Sequence, residues 1–198
     1  MKMFGIIFGF FISSVSSFAA LPPQFSDCLN TENPQMSVYD LQAIAAVAKV
    51  NYCQNQMGLT NKADTLALLK TTNVNLGISV AKTTYGREDL MEMAKASGYV
   101  LYVDSNRIAK EYLMDLSKAG VQLVVMSATA NLSKADLLQI AKAHSFIYNV
   151  NSSVLKEDMK DLVNAGVTVV LRVGQYGMSK EDVVEVAKLN PSLVSIAP

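Results

Sequence analysis

Residues 133–151 read SKADLLQIAKAHSFIYNVN, and residues 153–173 read SVLKEDMKDLVNAGVTVVLRV. Each half runs from an early acid through apolar residues at helical spacing into a burst of strand formers. Leu137, Ile140 and Ala141 fall on one stripe of the first half, and Met159, Leu162 and Val163 on one stripe of the second. Such three- and four-residue steps mark a short amphipathic helix. The runs that follow, Phe146–Val150 and Val167–Val173, are dense in the β-branched and aromatic residues that strands favour.

The same sentence recurs before and after. Its marker is Asp40, Asp64, Asp89, then Tyr112 in the acid's place, then Asp136, Asp158 and Asp182, in steps of 24, 25, 23, 24, 22 and 24 residues. Fixed periods of this size signal stacked supersecondary units. Ser37, Asn61, Ser133 and Ser179 stand three residues before their acids. There a side-chain oxygen accepts from free helix N–H groups, and the acid favours the positive end of the helix dipole. Capping accounts for these acids without any catalytic role. Gly120 and Gly166 end two helices, and Asn190-Pro191 ends the last. Units ending Ala-Gly-Val alternate with units carrying Met-Ala-Lys, Ile-Ala-Lys or Val-Ala-Lys, a super-repeat near 46 residues.

About seven helix–strand units make the fold α/β with an all-parallel sheet, because every strand returns through the same kind of crossover. Two architectures fit. One is an open solenoid with helices on one face; the other is a small closed barrel or doubly wound sheet. The short unit favours the solenoid. From Ser37 to Ile196 the plan resembles that of leucine-rich repeats in architecture, although Asp104, Ser127, Asn151 and Val173 stand where that family keeps a strand-end asparagine. The resemblance implies an open curved sheet that binds a protein.

Both alternating sets of strand residues are apolar. On an open sheet one set would lie bare, and Tyr99, Leu101, Val124, Met126, Phe146, Tyr148, Val170 and Arg172 are the expected binding face. The expectation is a non-enzymatic scaffold that binds a protein partner or itself through this face and a free C-terminal edge; an apolar ligand is another way to cover it. The alternative is a small α/β enzyme or ligand-binding protein with its site at the strand C-terminal ends, at Asp104, Ser127, Asn151 and Gln175. Arg172, a lone charge late in an apolar strand, is the strongest single candidate for a polar ligand.

Residues 1–19 read as a signal peptide: Met1-Lys2, an apolar run from Met3 to Val15, and small residues at Ser17 and Ala19 before the cut. Its apolar run is short of the ~20 residues that span a bilayer. The protein is therefore expected in the periplasm or secreted, with residues 20–36 as a leader and 37–198 as the repeat domain. Cys28 and Cys53 are expected to form one disulfide there. Equal numbers of acidic and basic side chains, 17 each, give no case for nucleic acid or an anionic membrane. One histidine and no metal-ligand spacing leave no zinc site, no cofactor and no nucleophile–base pair to name.

Overall fold

The computed structural model describes residues 36–55 and 61–197; residues 1–19, expected to be a signal peptide, Cys28 and most of residues 20–36 lie outside the described residues. Seven helices alternate with seven strands: α1 (Val38–Ala45), β1 (Val50–Gln54), α2 (Lys62–Leu69), β2 (Val74–Ser79), α3 (Arg87–Ala96), β3 (Val100–Val103), α4 (Lys110–Lys118), β4 (Gln122–Met126), α5 (Lys134–Ala143), β5 (Ile147–Asn149), α6 (Lys156–Asn164), β6 (Thr168–Leu171), α7 (Lys180–Leu189) and β7 (Val194–Ile196). The strands form one parallel sheet in the order β1 to β7. It does not close: β1 and β7 are its edges.

Every crossover steps one strand along in the same direction, so the helices fall in one layer. Each buries an apolar stripe in one continuous core: Leu41 from α1, Leu68 from α2, Met93 from α3, Leu113 and Leu116 from α4, Ile140 from α5, Leu162 from α6 and Val186 from α7. The sheet answers with alternate residues, among them Leu76, Ile78, Leu101, Leu123, Val125, Tyr148 and Val169. Among the described residues no helix is long and apolar enough to cross a membrane.

The alternation of unit types has a physical basis. Helices α1, α5 and α7 open with a capping box from Ser37, Ser133 and Ser179, and in α3 the Asp89 carboxylate accepts from the Gly86 N–H. Helices α4 and α6 start at Ala109 and Leu155 with no side-chain cap. Those two invest instead at the other end. Gly120 and Gly166 take φ of +92° and +83°, and the next N–H closes back on Leu116 and Leu162 at 3.1 and 3.0 Å. A residue there without a Cβ avoids the left-handed penalty. From α3 to α7 the repeating structural unit is thus a pair of helix–strand modules; α2, where the Asn61 side chain accepts from the Asp64 N–H, does not follow the alternation.

A ladder of charge ties the helix layer together along its N-terminal rim. The first residue of one helix reaches the acid of the next: Lys62 to Asp89 at 2.9 Å, Lys110 to Asp136 at 2.7 Å, Lys134 to Asp158 at 3.0 Å and Lys156 to Asp182 at 3.1 Å. At α4 the acid is replaced by Tyr112. The cation there is an arginine, and Arg87 stacks 3.9 Å from the Tyr112 ring centre while reaching Asp115 at 3.2 Å. A planar guanidinium can stack where an ammonium would lose its rung.

Candidate functional site

The strand C-terminal ends, the helix N-termini and the loops between them meet on one rim. A cleft of about 330 Å³ opens there, over the ends of β4 and β5 and between the first turns of α5 and α6. Its polar groups are Ser127, Ser152 and Ser153, the Tyr148 hydroxyl, and the Lys134–Asp158 rung. Leu132, Leu137, Met159 and Leu162 supply the apolar wall. The Ser127 and Ser152 hydroxyls are 2.7 Å apart, and Ser127 donates to Asn151 Oδ1 at 3.2 Å. Asn151 returns its N–H to Ser127 Oγ at 2.9 Å and accepts the Ala128 N–H at 2.9 Å. The loop after β4 is therefore pinned by the end of β5. Burial pushes the Tyr148 hydroxyl above its usual pKa, against a smaller opposing effect from Ser127. It remains a protonated donor at neutral pH.

The pair repeat supplies a second copy of this place. Ile78 stands opposite Leu101 as Val125 stands opposite Tyr148. Asp104 takes the Ala81 N–H at 2.9 Å as Asn151 takes that of Ala128. The two places, at α3/α4 and at α5/α6, are 47 residues apart. Leu101 gives way to Tyr148, Val80 to Ser127, Asp104 to Asn151, Arg87 to Lys134 and Tyr112 to Asp158, and the stretch from Asp104 to Lys110 is one residue longer than that from Asn151 to Lys156. The extra residue is Arg107, whose guanidinium donates to the carbonyls of Val80 and Thr83, the latter at 2.6 Å. Val80 is the counterpart of Ser127. One copy holds an arginine where the other holds a cleft.

Of the strand-end candidates, the structure brings Ser127 and Asn151 together with Ser152. Asp104 serves the sister place, held by Ser79 Oγ at 2.6 Å. Gln175 is exposed in the tight turn before α7, paired with Met178. Arg172 is half-buried and already donates to Asn149 Oδ1 at 3.0 Å and to the Val150 carbonyl at 2.7 Å. Tyr148, Lys134 and Asp158 are the cleft residues not expected there. Lys134 and Asp158 stand at ladder positions that recur along the repeat, and Tyr148 is the departure, in the place of Leu101. His144 caps the end of α5 and is exposed. Among the described residues no group of three His, Cys, Asp or Glu is placed to hold a metal ion.

A second cleft, about 370 Å³, opens at the opposite ends of the strands among Lys49, Asn75, Tyr99 and Gln122. Its polar groups are largely spent: Tyr99 donates to the Leu90 carbonyl at 2.9 Å and Asn75 to Asn51 at 2.7 Å.

The expected bare strand face is not formed. Tyr99, Leu101, Phe146 and Tyr148 point into the core beneath the helices. Val124 and Met126 lie on the other side, where they are buried with Cys53, Val100, Tyr102 and Ile147 and where Val170 packs against them. The seven apolar residues thus divide between two faces, and neither offers a continuous apolar surface to a partner.

No protein-family model and no curated protein matches the chain. Among solved structures it is similar to 2,3-dimethylmalate lyase, a PEP mutase/isocitrate lyase superfamily member, at 11% identity over 88% of this chain and 80% of that one, with a TM-score of 0.40. It is similar to oxaloacetate acetylhydrolase in complex with the inhibitor 3,3-difluorooxalacetate at 12% identity over 86% and 77%, TM-score 0.37. A flavocytochrome b2 variant with sulfite bound matches at 19% identity over 75% of this chain, TM-score 0.41; the chain spans half that protein's length. All three are enzymes, and none is a leucine-rich-repeat protein. The expectation of a non-enzymatic scaffold is corrected on the buried face it required. At these identities no residue of this chain inherits a role from them.

Proposed function

We propose that this chain is a small α/β enzyme or ligand-binding protein acting on a small molecule held at the C-terminal ends of β4 and β5. The observation that carries the reading is the cleft itself: hydroxyl groups, one charged pair and an apolar wall converge in a space of about 330 Å³. Ligand sites of parallel α/β sheets gather at this end of the strands, and small-molecule pockets start at about this size. Tyr148 supplies a donor, the Ser127–Ser152 pair supplies donor and acceptor, and Asp158 supplies a carboxylate. Of these, Asp158 and Tyr148 are the groups able to exchange a proton with a bound molecule. As part of the same proposal the protein is exported and joins Cys53, on β1, to Cys28; the reading of residues 1–19 and the even cysteine count support this.

Ser153 lines the cleft and is exposed, so Ser153→Trp fills the space without touching the core. A small-molecule fragment mixture screened by ligand-observed NMR should give binders to the wild type that Ser153→Trp loses. Stability of the variant should stay within about 0.5 kcal/mol of wild type. Binders that all survive the substitution would place the site elsewhere.

A further inference from the structure

The sister place at α3/α4 shows what this architecture accepts. Arg107 lays a guanidinium on the carbonyls of Val80 and Thr83. The counterparts of those carbonyls belong to Ser127, which lines the cleft, and to Ala130, buried in the same loop, and among the described residues no backbone donor outside the regular elements reaches either. A carbonyl at such a turn needs a donor from somewhere.

The charge at the cleft has the matching sign. Lys134 is shared by two carboxylates, Asp158 at 3.0 Å and Asp161 at 2.5 Å, which leaves an excess of negative charge. Where the sister place has the Tyr112 ring, the cleft has the Asp158 carboxylate. An anionic head group would meet that carboxylate and no uncommitted cation in the cleft lining. A planar cation would meet acceptors on both sides, with charge-assisted bonds to a carboxylate. Leu132, Leu137 and Met159 form the wall along which a short aliphatic stem can lie.

We infer that the ligand carries a guanidinium head on a short apolar stem, and that it occupies in the α5/α6 cleft the place Arg107 occupies in the sister copy. This rests on the cleft being the ligand site, so the test separates the two. The probe is n-butylguanidinium, titrated at low millimolar concentration into the protein and followed by amide shifts. Matched probes of the same stem are n-butylammonium, n-butanol and butyrate. Butylguanidinium should shift the amides of Ser127, Ser152 and Ser153 saturably, with an affinity about tenfold above that of butanol. A variant with one arginine inserted between Ser153 and Val154 restores the sister loop length; it should keep a dispersed spectrum and lose the binding.

Butyrate or butanol saturating the cleft while butylguanidinium does not would overturn the head group and leave the cleft standing. Butylammonium binding as tightly as butylguanidinium would overturn the need for a planar donor. Butylguanidinium binding untouched by the insertion would overturn the shared place. No shift at the cleft with any probe would remove both this inference and the site beneath it.

Discussion

The α3/α4 and α5/α6 places are built on the same frame and have diverged in what fills them. Both have the loop after one strand held by a side chain from the end of the next, Asp104 in one and Asn151 in the other. Both rest on a helix that ends at a left-handed glycine. One is closed by its own Arg107 and by Arg87 stacked on Tyr112; the other keeps a cleft edged by Ser153 and Asp158. In a repeat protein every unit must keep the groups that stack it on its neighbours. Departures that cost nothing in stacking are therefore where function has room to appear, and the cleft is such a departure.

The largest expected effect tests whether the frames are equivalent. Leu116 and Leu162 are fully buried at matching positions of α4 and α6. Leu116→Ala and Leu162→Ala should each cost about 2–5 kcal/mol by denaturant unfolding. A cost near zero at one of them would break the equivalence. Next comes the plug. Arg107→Ala removes two charge-assisted bonds and should cost about 1–2 kcal/mol, while leaving fragment binding at the α5/α6 cleft unchanged. Loss of that binding would mean the two places are not independent.

The smallest effect lies in the ladder. The Lys110 ammonium, with help from Ser133, holds the Asp136 carboxyl down to about 2. An unfolded aspartate titrates near 3.9. A folded pKa below the unfolded one means the rung's contribution is complete above about pH 4 and is lost as pH falls toward 2. Lys110→Ala should return Asp136 toward the ordinary carboxylate range in an NMR pH titration; an unmoved midpoint would show that the lysine is not the cause.

The fold was legible because its signals are local. Caps, left-handed glycines and helical stripes each depend on a few neighbouring residues, and the helix-then-strand order they mark, repeated along the chain, implies the parallel sheet. The faces of the sheet were harder. Val100–Val103 is buried on both sides, so parity could not be read from hydrophobicity, and a slip of one residue exchanges the faces. Leu123 lines up with Leu101 rather than Val100, since Gln122 is the partner of Val100. Setting Leu123 level with Val100 groups Tyr99 and Leu101 with Val124 and Met126. The polar residues Asn75, Ser79, Gln122, Asn149 and Thr168, which alternate on the second face, carry the missing parity. At the cleft, Ser127 and Asn151 are the residues the sequence singles out, as polar groups at strand ends. Tyr148 departs from Leu101 only when its unit is compared with the sister two modules away, and Asp158 carries the acid common to the repeat, so neither stands out in the sequence as a cleft residue.

The most direct test of the account is a crystallographic fragment screen on the whole protein. The account predicts bound molecules clustered over Ser127, Tyr148 and Ser152, between the first turns of α5 and α6. Fragments gathered instead on the second face of the sheet around Val124 and Ile147, with the α5/α6 cleft empty, would contradict it.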